Sequence, residues 1–306
     1  MKLKRIILMT LAAVLFCGCQ SAARPPRIAE SGETETVLLC EMISLLAQQE
    51  NEEVEIVSAE SGTSDLHPAI AGGTLEVYPE YTGTAWVNVL NHEPPYEQSQ
   101  FPQLQEEYGK QGLEWNGISQ AEDYLTFAVT PDTATKYQLK TLSDLAKVAD
   151  QLELGADSSW MERSDVYKLL TNTYNMHFKG TKNLPVDLQY QQLKKGKIDV
   201  MPVHSTDGRL QAGNMIALED DLGAVSHSLL GFVTNQSLAE DYPWLYGILD
   251  LIGSRLTTED LILMKNQVDS NGWNPVTAAR AWLETEGLLK SAKTDDQNPE
   301  SDEKNS

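Results

Sequence analysis

Cysteine is scarce in this chain, which has 3 cysteines among its 306 residues. Cys17 and Cys19 lie in an N-terminal segment that we expect to be processed. Cys40 then remains alone, so we expect no intrachain disulfide in the mature protein. Because it lies in the apolar stretch 37–42, the pattern favours a small buried hydrophobic side chain over a reactive thiol.

Positive charge is scarce as well. The chain has 23 Lys and Arg against 45 Asp and Glu, which gives a net charge of −22. The electrostatic field of this negative charge repels phosphate groups, so nucleic acid is excluded as a partner. No run of about 20 apolar residues follows the N-terminal segment, so no internal membrane span is predicted. The hydrophobic content of 41% supports a packed core, and the length suits about two domains.

Catalytic signatures are missing from the sequence. It contains no Gly-x-Ser-x-Gly elbow, no His-Glu-x-x-His pair and no phosphate-binding Gly-Lys-Ser/Thr loop. The 5 histidines are scattered without the short spacing of metal ligands. We therefore expect a protein that is not an enzyme and that holds no metal or cofactor. The adjacent acids Asp220 and Asp221 indicate a solvated turn before Gly223.

The N-terminus indicates a targeting segment. Residues 1–19 combine a basic start with a short apolar run and end in Cys19 after Gly18, which resembles a bacterial lipoprotein signal. The resemblance implies lipidation of Cys19, with an ordinary cleaved signal peptide as the alternative. Residues 20–27 are small and polar and indicate a tether, and residues 291–306 are typical of a disordered acidic tail.

Helix and strand signals alternate between these ends. Apolar spacing and capping residues predict helices over 38–46, 64–70, 166–174 and 274–289, and a capping-box pattern at 141–144 predicts the start of another. Short β-rich runs predict strands over 54–58, 75–78, 127–129, 152–154 and 198–203. Strands separated by helices indicate an α/β fold with mostly parallel sheets.

The segment 62–84 is the most informative part of the chain. It has a Gly-Thr-Ser turn, a short helix, a Gly-Gly break and a strand, followed by Tyr-Pro-Glu-Tyr-Thr-Gly-Thr at 78–84. We expect Pro79 and Gly83 to fix a loop at the end of the strand, where ligands bind in open α/β sheets. This loop would present Tyr81 and the hydroxyls of Thr82 and Thr84, or would simply be a packed structural loop.

The same segment resembles the osmoprotectant-binding proteins of ABC importers, which bind glycine betaine, choline or carnitine. Further motifs agree in order, namely Arg-Ser-Asp at 163–165, Lys-Gly-Lys-Ile-Asp-Val at 195–200 and Ser-Thr-Asp-Gly-Arg at 205–209. The resemblance covers about residues 28–290 and implies a two-lobed type II periplasmic-binding fold. It places lobe one at 28–126 and 228–290, lobe two at 127–227, and the hinge at the two crossings between them.

The family's pocket implies a set of site residues in this chain. A methylated cation cannot donate hydrogen bonds, but it is attracted to aromatic faces. The resemblance implies a cage tyrosine at Tyr81, a polar contact at Thr84 and a carboxylate-binding arginine at Arg163. Ser31 stands where the family has a lysine. The second cage position falls on Tyr124 or Leu125, the third on His204, and the fourth on His227 or Ser228.

The implied function is capture of a quaternary-ammonium solute in the cleft between the lobes. The protein would then deliver the solute to ABC permease subunits. Its lipid would anchor it to the extracytoplasmic face of the bacterial cell membrane. The implied pocket has fewer tyrosines and more acidic residues than the family pattern, which favours choline-like solutes over glycine betaine. The alternatives are a different amine-type solute, or an envelope lipoprotein with a vestigial pocket that acts in protein interaction.

Overall fold

The computed structural model describes residues 24–59, 63–163 and 166–290. The expected signal peptide with Cys19, residues 20–23 of the tether and the acidic tail 291–306 lie outside the described residues. Residues 24–27, which we assigned to the tether, instead pack on the fold. Arg27 begins the first strand, and the Arg24 guanidinium forms an ion pair of 2.6 Å with Glu76.

The described chain alternates strands and helices. The strands are β1 (Arg27–Glu30), β2 (Glu55–Ser58), β3 (Val77–Tyr81), β4 (Leu113–Asn116), β5 (Glu122–Asp123), β6 (Leu125–Val129), β7 (Glu153–Ala156), β8 (Gly180–Asn183), β9 (Met201–His204), β10 (Ile216–Ala217) and β11 (Ser228–Asn235). The helices are α1 (Thr34–Gln49), α2 (Thr63–Ala71), α3 (Thr82–Thr84), α4 (Phe101–Gly109), α5 (Pro131–Tyr137), α6 (Leu142–Ala146), α7 (Ser158–Glu162), α8 (Tyr167–Thr173), α9 (Val186–Lys194), α10 (Arg209–Gly213), α11 (Leu238–Asp241), α12 (Pro243–Gly253), α13 (Thr258–Asp269) and α14 (Pro275–Thr285). A π-helical turn (Ala85–Val89) and the 3-10 turns Gln98–Gln100 and Ala149–Gln151 complete them.

The first sheet has the strand order β2-β1-β3-β11-β4, and β5 pairs with one end of β11. Helix α1 packs on one face against α12, α13 and α14, and its buried residues from Leu38 to Ala47 join their core. Cys40 is 1% exposed within this core, as predicted, and burial raises its pKa well above the ordinary value of a thiol. A second apolar cluster, with Tyr78, Trp86 and Tyr108 at its centre, covers the other face.

The second group of strands comprises the sheet β10-β6-β9 and the pair β7-β8, joined by a bridge between Leu154 and Val200. Its apolar residues form cores of their own around Phe127 and Met201. The chain leaves the first sheet after β5 and returns to it at β11. The predicted lobe boundary at 227/228 coincides with the start of β11, whereas the one at 126/127 falls inside β6. The division into lobes stays a prediction.

The pairing is mixed rather than mostly parallel. β1 runs parallel to β2 and β3, and β7 runs parallel to β8, but β11 runs antiparallel to β3 and β4. The strands flanking β6 are antiparallel to it as well. Spacing along the chain indicates that strands alternate with helices, but it does not show the direction in which a strand re-enters a distant sheet.

Local capping signals placed two helices correctly. Thr141 accepts a hydrogen bond from the Asp144 backbone N–H in the predicted capping box, and α6 begins directly after it. The Asn274 side chain caps α14, and Pro275 occupies its first turn. Both signals act within one turn, so the sequence alone contains them.

The segment after β3 differs from the loop that we expected. Pro79 lies inside β3, opposite Phe232 of β11, and the strand continues to Tyr81. β1 pairs with β3 only at Val77, so Pro79 stands beyond the end of that ladder, where its missing N–H is tolerated. Thr82 to Thr84 then begin a helix instead of a loop.

Among the described residues, none of the helices combines the length and the apolar character needed to cross a membrane. Over the same ranges, no cluster of three or more His, Cys, Asp or Glu side chains is arranged to hold a metal ion.

Candidate functional site

A cavity of about 450 Å³ lies between the first sheet and the second group of strands. Its lining includes Glu35 of α1 and Tyr81 of β3 on one side, and His204 of β9 and Arg163 on the other. This volume suits a small solute, since ligand pockets in proteins measure about 300–1,000 Å³.

Most of the expected binding residues meet at this cavity. Those that line it are Ser31, Tyr81, Thr84, Tyr124, Arg163 and His204. Leu125, the alternative to Tyr124, lines it too. His227 does not line the cavity and lies behind Tyr124. The fold therefore gathers residues that are far apart in the sequence.

Tyr81 presents an unsatisfied polar group at the cavity. It ends β3, and its hydroxyl is buried without a hydrogen-bond partner among the residues that the structure describes. Burial raises the pKa of this phenol well above its ordinary value, and the nearby Glu35 carboxylate raises it further. An orphaned hydroxyl at a cavity wall is a group that a bound solute can satisfy.

Glu80, directly before Tyr81, is a buried carboxyl group with 3% exposure. Its Oε1 accepts a hydrogen bond of 2.8 Å from the Tyr81 backbone N–H, while Oε2 has no partner in the described part of the chain. Burial raises the pKa of Glu80 to about 8, against the opposing effect of the Tyr81 N–H. Glu80 is therefore mostly protonated at neutral pH.

The helix start after β3 is held by the returning chain. Thr82 is fully buried, and its hydroxyl accepts a hydrogen bond of 3.1 Å from the Leu229 backbone N–H, so it is not presented to the cavity as we expected. Gly83 lies so close to Ser226 and Ser228 that a Cβ there would overlap both. Thr84, one residue on, lines the cavity.

Ser31 lines the cavity just before α1. Its backbone N–H donates to the Thr36 hydroxyl at 3.0 Å, and the two hydroxyls are 3.1 Å apart. The Thr36 hydroxyl in turn donates to the Glu33 carbonyl. This network fixes Ser31 at the cavity wall.

The Tyr124 ring is held by a histidine. The rings of Tyr124 and His227 stack with centroids 4.2 Å apart and an interplanar angle of 11°. The His227 nitrogens lie 3.4 Å from Glu122 and 3.5 Å from Asp220. Asp220 is the main cause of the raised pKa of His227, and it outweighs the lowering by burial.

Asp220 is buried, with 5% exposure, so the solvated turn predicted from the sequence is wrong for this residue. Its carboxylate accepts hydrogen bonds from the Tyr174 hydroxyl at 2.5 Å and from the backbone N–H groups of Ala224 and Val225 at 3.0 Å each. These donors, together with His227, lower the pKa of Asp220 despite its burial. The fold thereby stabilises a buried negative charge behind Tyr124.

His204 faces the cavity as one half of a charged pair. Its Nδ1 lies 2.6 Å from Oδ2 of Asp123, a buried residue of β5. Oδ1 of Asp123 accepts from the Ser205 hydroxyl and from the N–H and hydroxyl of Thr206. Burial lowers the pKa of His204, but the Asp123 carboxylate outweighs it, and the net pKa is raised.

Lys265 of α13 adds an ammonium group to the site. Its Nζ donates to Glu35 and to the Thr206 hydroxyl at 3.1 Å each. Burial lowers its pKa, but Glu35 and Asp123 reverse the effect, so the lysine stays charged.

The Ser-Thr-Asp-Gly-Arg motif contributes a second ion pair. Arg209 contacts Asp207 at 2.6 Å and lies over the Tyr190 ring at 4.7 Å from its centroid. Both Asp207 and Arg209 line the cavity. Arg163 follows α7 and lies exposed at the cavity.

Sequence reasoning missed part of this polar wall, namely Glu35, Asp123 and Lys265. Asp123 adjoins Tyr124, which was found, but an acid before a strand has no distinctive local signal. Lys265 reaches the site only because α13 packs beside α1.

Comparison with known proteins decides the family. The family model described as OpuAC, the substrate-binding domain of ABC-type glycine betaine transport systems, matches residues 27–285. The chain belongs to this family. It is therefore a solute-binding protein of an ABC import system and not an enzyme, and such proteins act outside the cytoplasm. The resemblance inferred from its motifs is confirmed.

The OpuAC-family relatives include transport proteins for different solutes. The chain is 29% identical over 299 residues to the ergothioneine transport permease/ergothioneine binding protein EgtU of Helicobacter pylori, covering 94% of this chain and 54% of that protein. The chain thus spans about half the length of that relative. It is 28% identical over 268 residues to the carnitine transport binding protein OpuCC of Listeria monocytogenes, covering 84% and 85% of the two chains.

Solved structures agree on the fold. A crystal structure of a glycine betaine/carnitine/choline ABC transporter matches with a TM-score of 0.80 at 25% identity, over 87% of this chain and 100% of that one. Apo YehZ from Escherichia coli matches with a TM-score of 0.73 at 21% identity, over 87% and 100%. These likenesses confirm the α/β type II periplasmic-binding fold.

Proposed function

We propose that this OpuAC-family protein captures a quaternary-ammonium solute in the cavity between its two lobes and delivers it to an ABC permease. The observation that carries the proposal is that two aromatic residues, Tyr81 and Tyr124, line one cavity together with several acidic side chains. A methylated ammonium cannot donate hydrogen bonds, but it is attracted to the faces of aromatic rings.

The charges at the cavity support a cationic solute. Apart from the protonated Glu80, its lining has more acids than bases, namely Glu33, Glu35, Asp123, Asp207 and Asp269 against Arg163, Arg209 and Lys265. The relatives' names fit as well, since ergothioneine, carnitine, glycine betaine and choline all carry a trimethylammonium group.

Calorimetry and thermal unfolding test the proposal on a panel of these compounds. Each compound has a matched control that lacks the methyl groups, such as ethanolamine for choline and glycine for glycine betaine. We expect at least one methylated compound to stabilise the protein by about 2.7 kcal/mol at 100 times its Kd, and its control to have no effect. The proposal fails if no methylated compound binds, or if the controls bind equally well.

We also propose the lipid anchor at Cys19 and the division into lobes at 28–126 with 228–290 and at 127–227. Mass spectrometry of protein from membranes should find diacylglycerol on Cys19, and Cys19→Ala should release the protein in soluble form. An unmodified N-terminus at another residue would contradict the anchor.

A further inference from the structure

Glu80 is a buried acid of the cavity that has no counter-charge. It lines the cavity directly beside Tyr81, and it is 3% exposed. Oε1 accepts the Tyr81 backbone N–H, whereas Oε2 has no hydrogen-bond partner and no basic side chain pairs with Glu80 among the described residues. A buried carboxylate without a partner is costly, so the group takes up a proton instead.

The other buried acids of this cavity are compensated. Each has a basic partner, in the pairs Glu35–Lys265, Asp123–His204 and Asp207–Arg209. Their charges are therefore balanced within the protein, whether or not a solute is present. Glu80 differs from them because a proton takes the place of the missing partner.

The groups packed around Glu80 do not favour its charge. The neighbouring strand β11 places a glycine opposite it. Glu35 of α1 adds a second negative charge nearby, and the phenols of Tyr78 in β3 and Tyr108 in α4 are close enough for Glu80 to raise their pKa. His67 of α2 meets this cluster only through the Tyr78 hydroxyl, at 3.3 Å. Together with burial, these surroundings keep the carboxyl group neutral.

A bound cation would supply the missing counter-charge. A methylated ammonium in contact with Tyr81 would lie beside Glu80, because the two residues are adjacent at the end of β3 and both line the cavity. An opposite charge within about 4–6 Å lowers the pKa of a carboxyl group by about 1–3. The cation would therefore favour loss of the proton.

We propose that Glu80 exchanges its proton for the cation of the solute, so that binding a methylated ammonium releases a proton from this residue. The O–H bond at Oε2 breaks, its electrons stay on the carboxylate, and the proton passes to water. The inference rests on the proposed function and adds to it a binding residue and a pH dependence.

The exchange sets the direction of the pH dependence. Below about pH 8 the solute has to displace the proton, so affinity for the cation rises with pH, by at most about tenfold per pH unit. Above that pH Glu80 is already ionised and the affinity levels off. His204 lines the same cavity and loses its positive charge as pH rises, which acts in the same direction. A variant of Glu80 is therefore needed to separate the two.

Calorimetry in buffers of different ionisation enthalpy counts the protons released by the wild-type protein. Choline is the probe, and where it does not bind, the compound of the panel that binds replaces it. We expect release of about 0.4–0.9 proton per solute from Glu80 at about pH 7, which vanishes above about pH 9. This measurement does not depend on how well a variant folds.

Glu80→Gln removes the exchange and keeps the shape of the side chain. The ratio of wild-type to variant affinity should grow about tenfold or more between about pH 5.5 and 8.5. Glu106→Gln is the matched control, because Glu106 does not line the cavity and pairs with Lys110 at the surface at 2.9 Å. Its affinity should stay within about twofold of wild type at every pH.

Infrared difference spectroscopy observes the proton directly. Adding the solute to the wild-type protein at about pH 7 should remove the band of a protonated carboxyl group. Glu80→Gln should show no such loss, whereas Glu106→Gln should show the same loss as wild type.

The outcomes distinguish the two proposals. If the wild-type protein binds none of the methylated compounds, the proposed function and this inference both fail. If it binds one of them without releasing a proton, or if Glu80→Gln keeps the proton release and pH dependence of wild type, the inference is overturned while the proposed function stands.

Discussion

At the scale of single residues, Tyr81 offers the sharpest test of the aromatic contact. A desolvated cation against an aromatic face gains up to about 2 kcal/mol, so Tyr81→Ala should weaken binding of the identified solute by roughly 30-fold. Tyr81→Phe should keep most of the affinity, because the ring face makes the contact. Calorimetry measures both, and equal affinity of the alanine variant and wild type would reject the aromatic contact.

The same substitution has a consequence for stability. Since the Tyr81 hydroxyl is buried without a partner among the described residues, Tyr81→Phe should leave the melting temperature of the solute-free protein unchanged or higher.

Glu80 should make stability depend on pH. Its pKa is raised to about 8 in the folded protein, whereas an unfolded glutamate titrates at about 4.3. The folded state therefore binds the proton more tightly than the unfolded state does. The resulting contribution of Glu80 to the free energy of unfolding is fully present below about pH 4.3 and is lost as pH rises towards 8.

Glu80→Gln replaces the protonated carboxyl group with a neutral amide of similar shape. The variant should match wild type in acid and become the more stable protein as pH rises, by at most about 1.4 kcal/mol per pH unit. Chemical denaturation of both proteins at several pH values measures this difference. A difference that stays constant from acid to neutral pH would show that Glu80 titrates normally.

The residues found from the sequence are those inside short, distinctive motifs. Tyr81 and Thr84 share one such motif, and His204 directly precedes another. Lys265 and Glu35 reach the cavity through the packing of α1 against α13, which no local spacing records. Asp123 belongs to the site because its carboxylate pairs with His204, which lies far along the chain.

At the scale of elements, the junction between β3 and α3 depends on a glycine. A Cβ on Gly83 would overlap Ser226 and Ser228, so Gly83→Ala should force α3 away from the returning chain. We expect a lower melting temperature and weaker solute binding, because Thr84 on the same helix lines the cavity.

Gly247→Ala is the matched control for this change. Gly247 lies within α12, and a Cβ there meets no atom within 4 Å. Alanine should stabilise that helix by about 0.5–1 kcal/mol and leave binding unchanged. Thermal unfolding of both variants compares them, and similar effects would show that the contact at Gly83 is unimportant.

Elements were predictable where their signals were local. The caps at Thr141 and Asn274 placed α6 and α14, because each cap bonds within its own first turn. The end of β3 was not predictable, because Pro79 and Gly83 indicate a loop until β11 pairs alongside. Long-range pairing therefore decided the element in which the site residue Tyr81 lies.

At the scale of the whole molecule, the cavity lies between two groups of strands that the chain links by two crossings. If these two crossings act as the proposed hinge, we expect the two groups of strands to close around the ligand by rotation. We expect small-angle X-ray scattering to show a smaller radius of gyration when the identified solute is added. The unmethylated analogue serves as the control, and an unchanged radius with saturating solute would contradict closure.

The order of helix and strand signals predicted the α/β class correctly, and the motifs, through the family resemblance, predicted a protein that is not an enzyme. Neither could give the balance of parallel and antiparallel strands, because that depends on where β11 re-enters the first sheet.

The burial of Cys40 has a practical consequence for observing such closure. A chain that begins at residue 24 has Cys40 as its single sulfhydryl, and that group is enclosed and held in its unreactive, protonated form. Maleimide dyes would therefore give little background without any prior cysteine removal. Two cysteines introduced on opposite rims of the cleft would then carry a donor and an acceptor fluorophore for single-molecule energy-transfer measurements of closure.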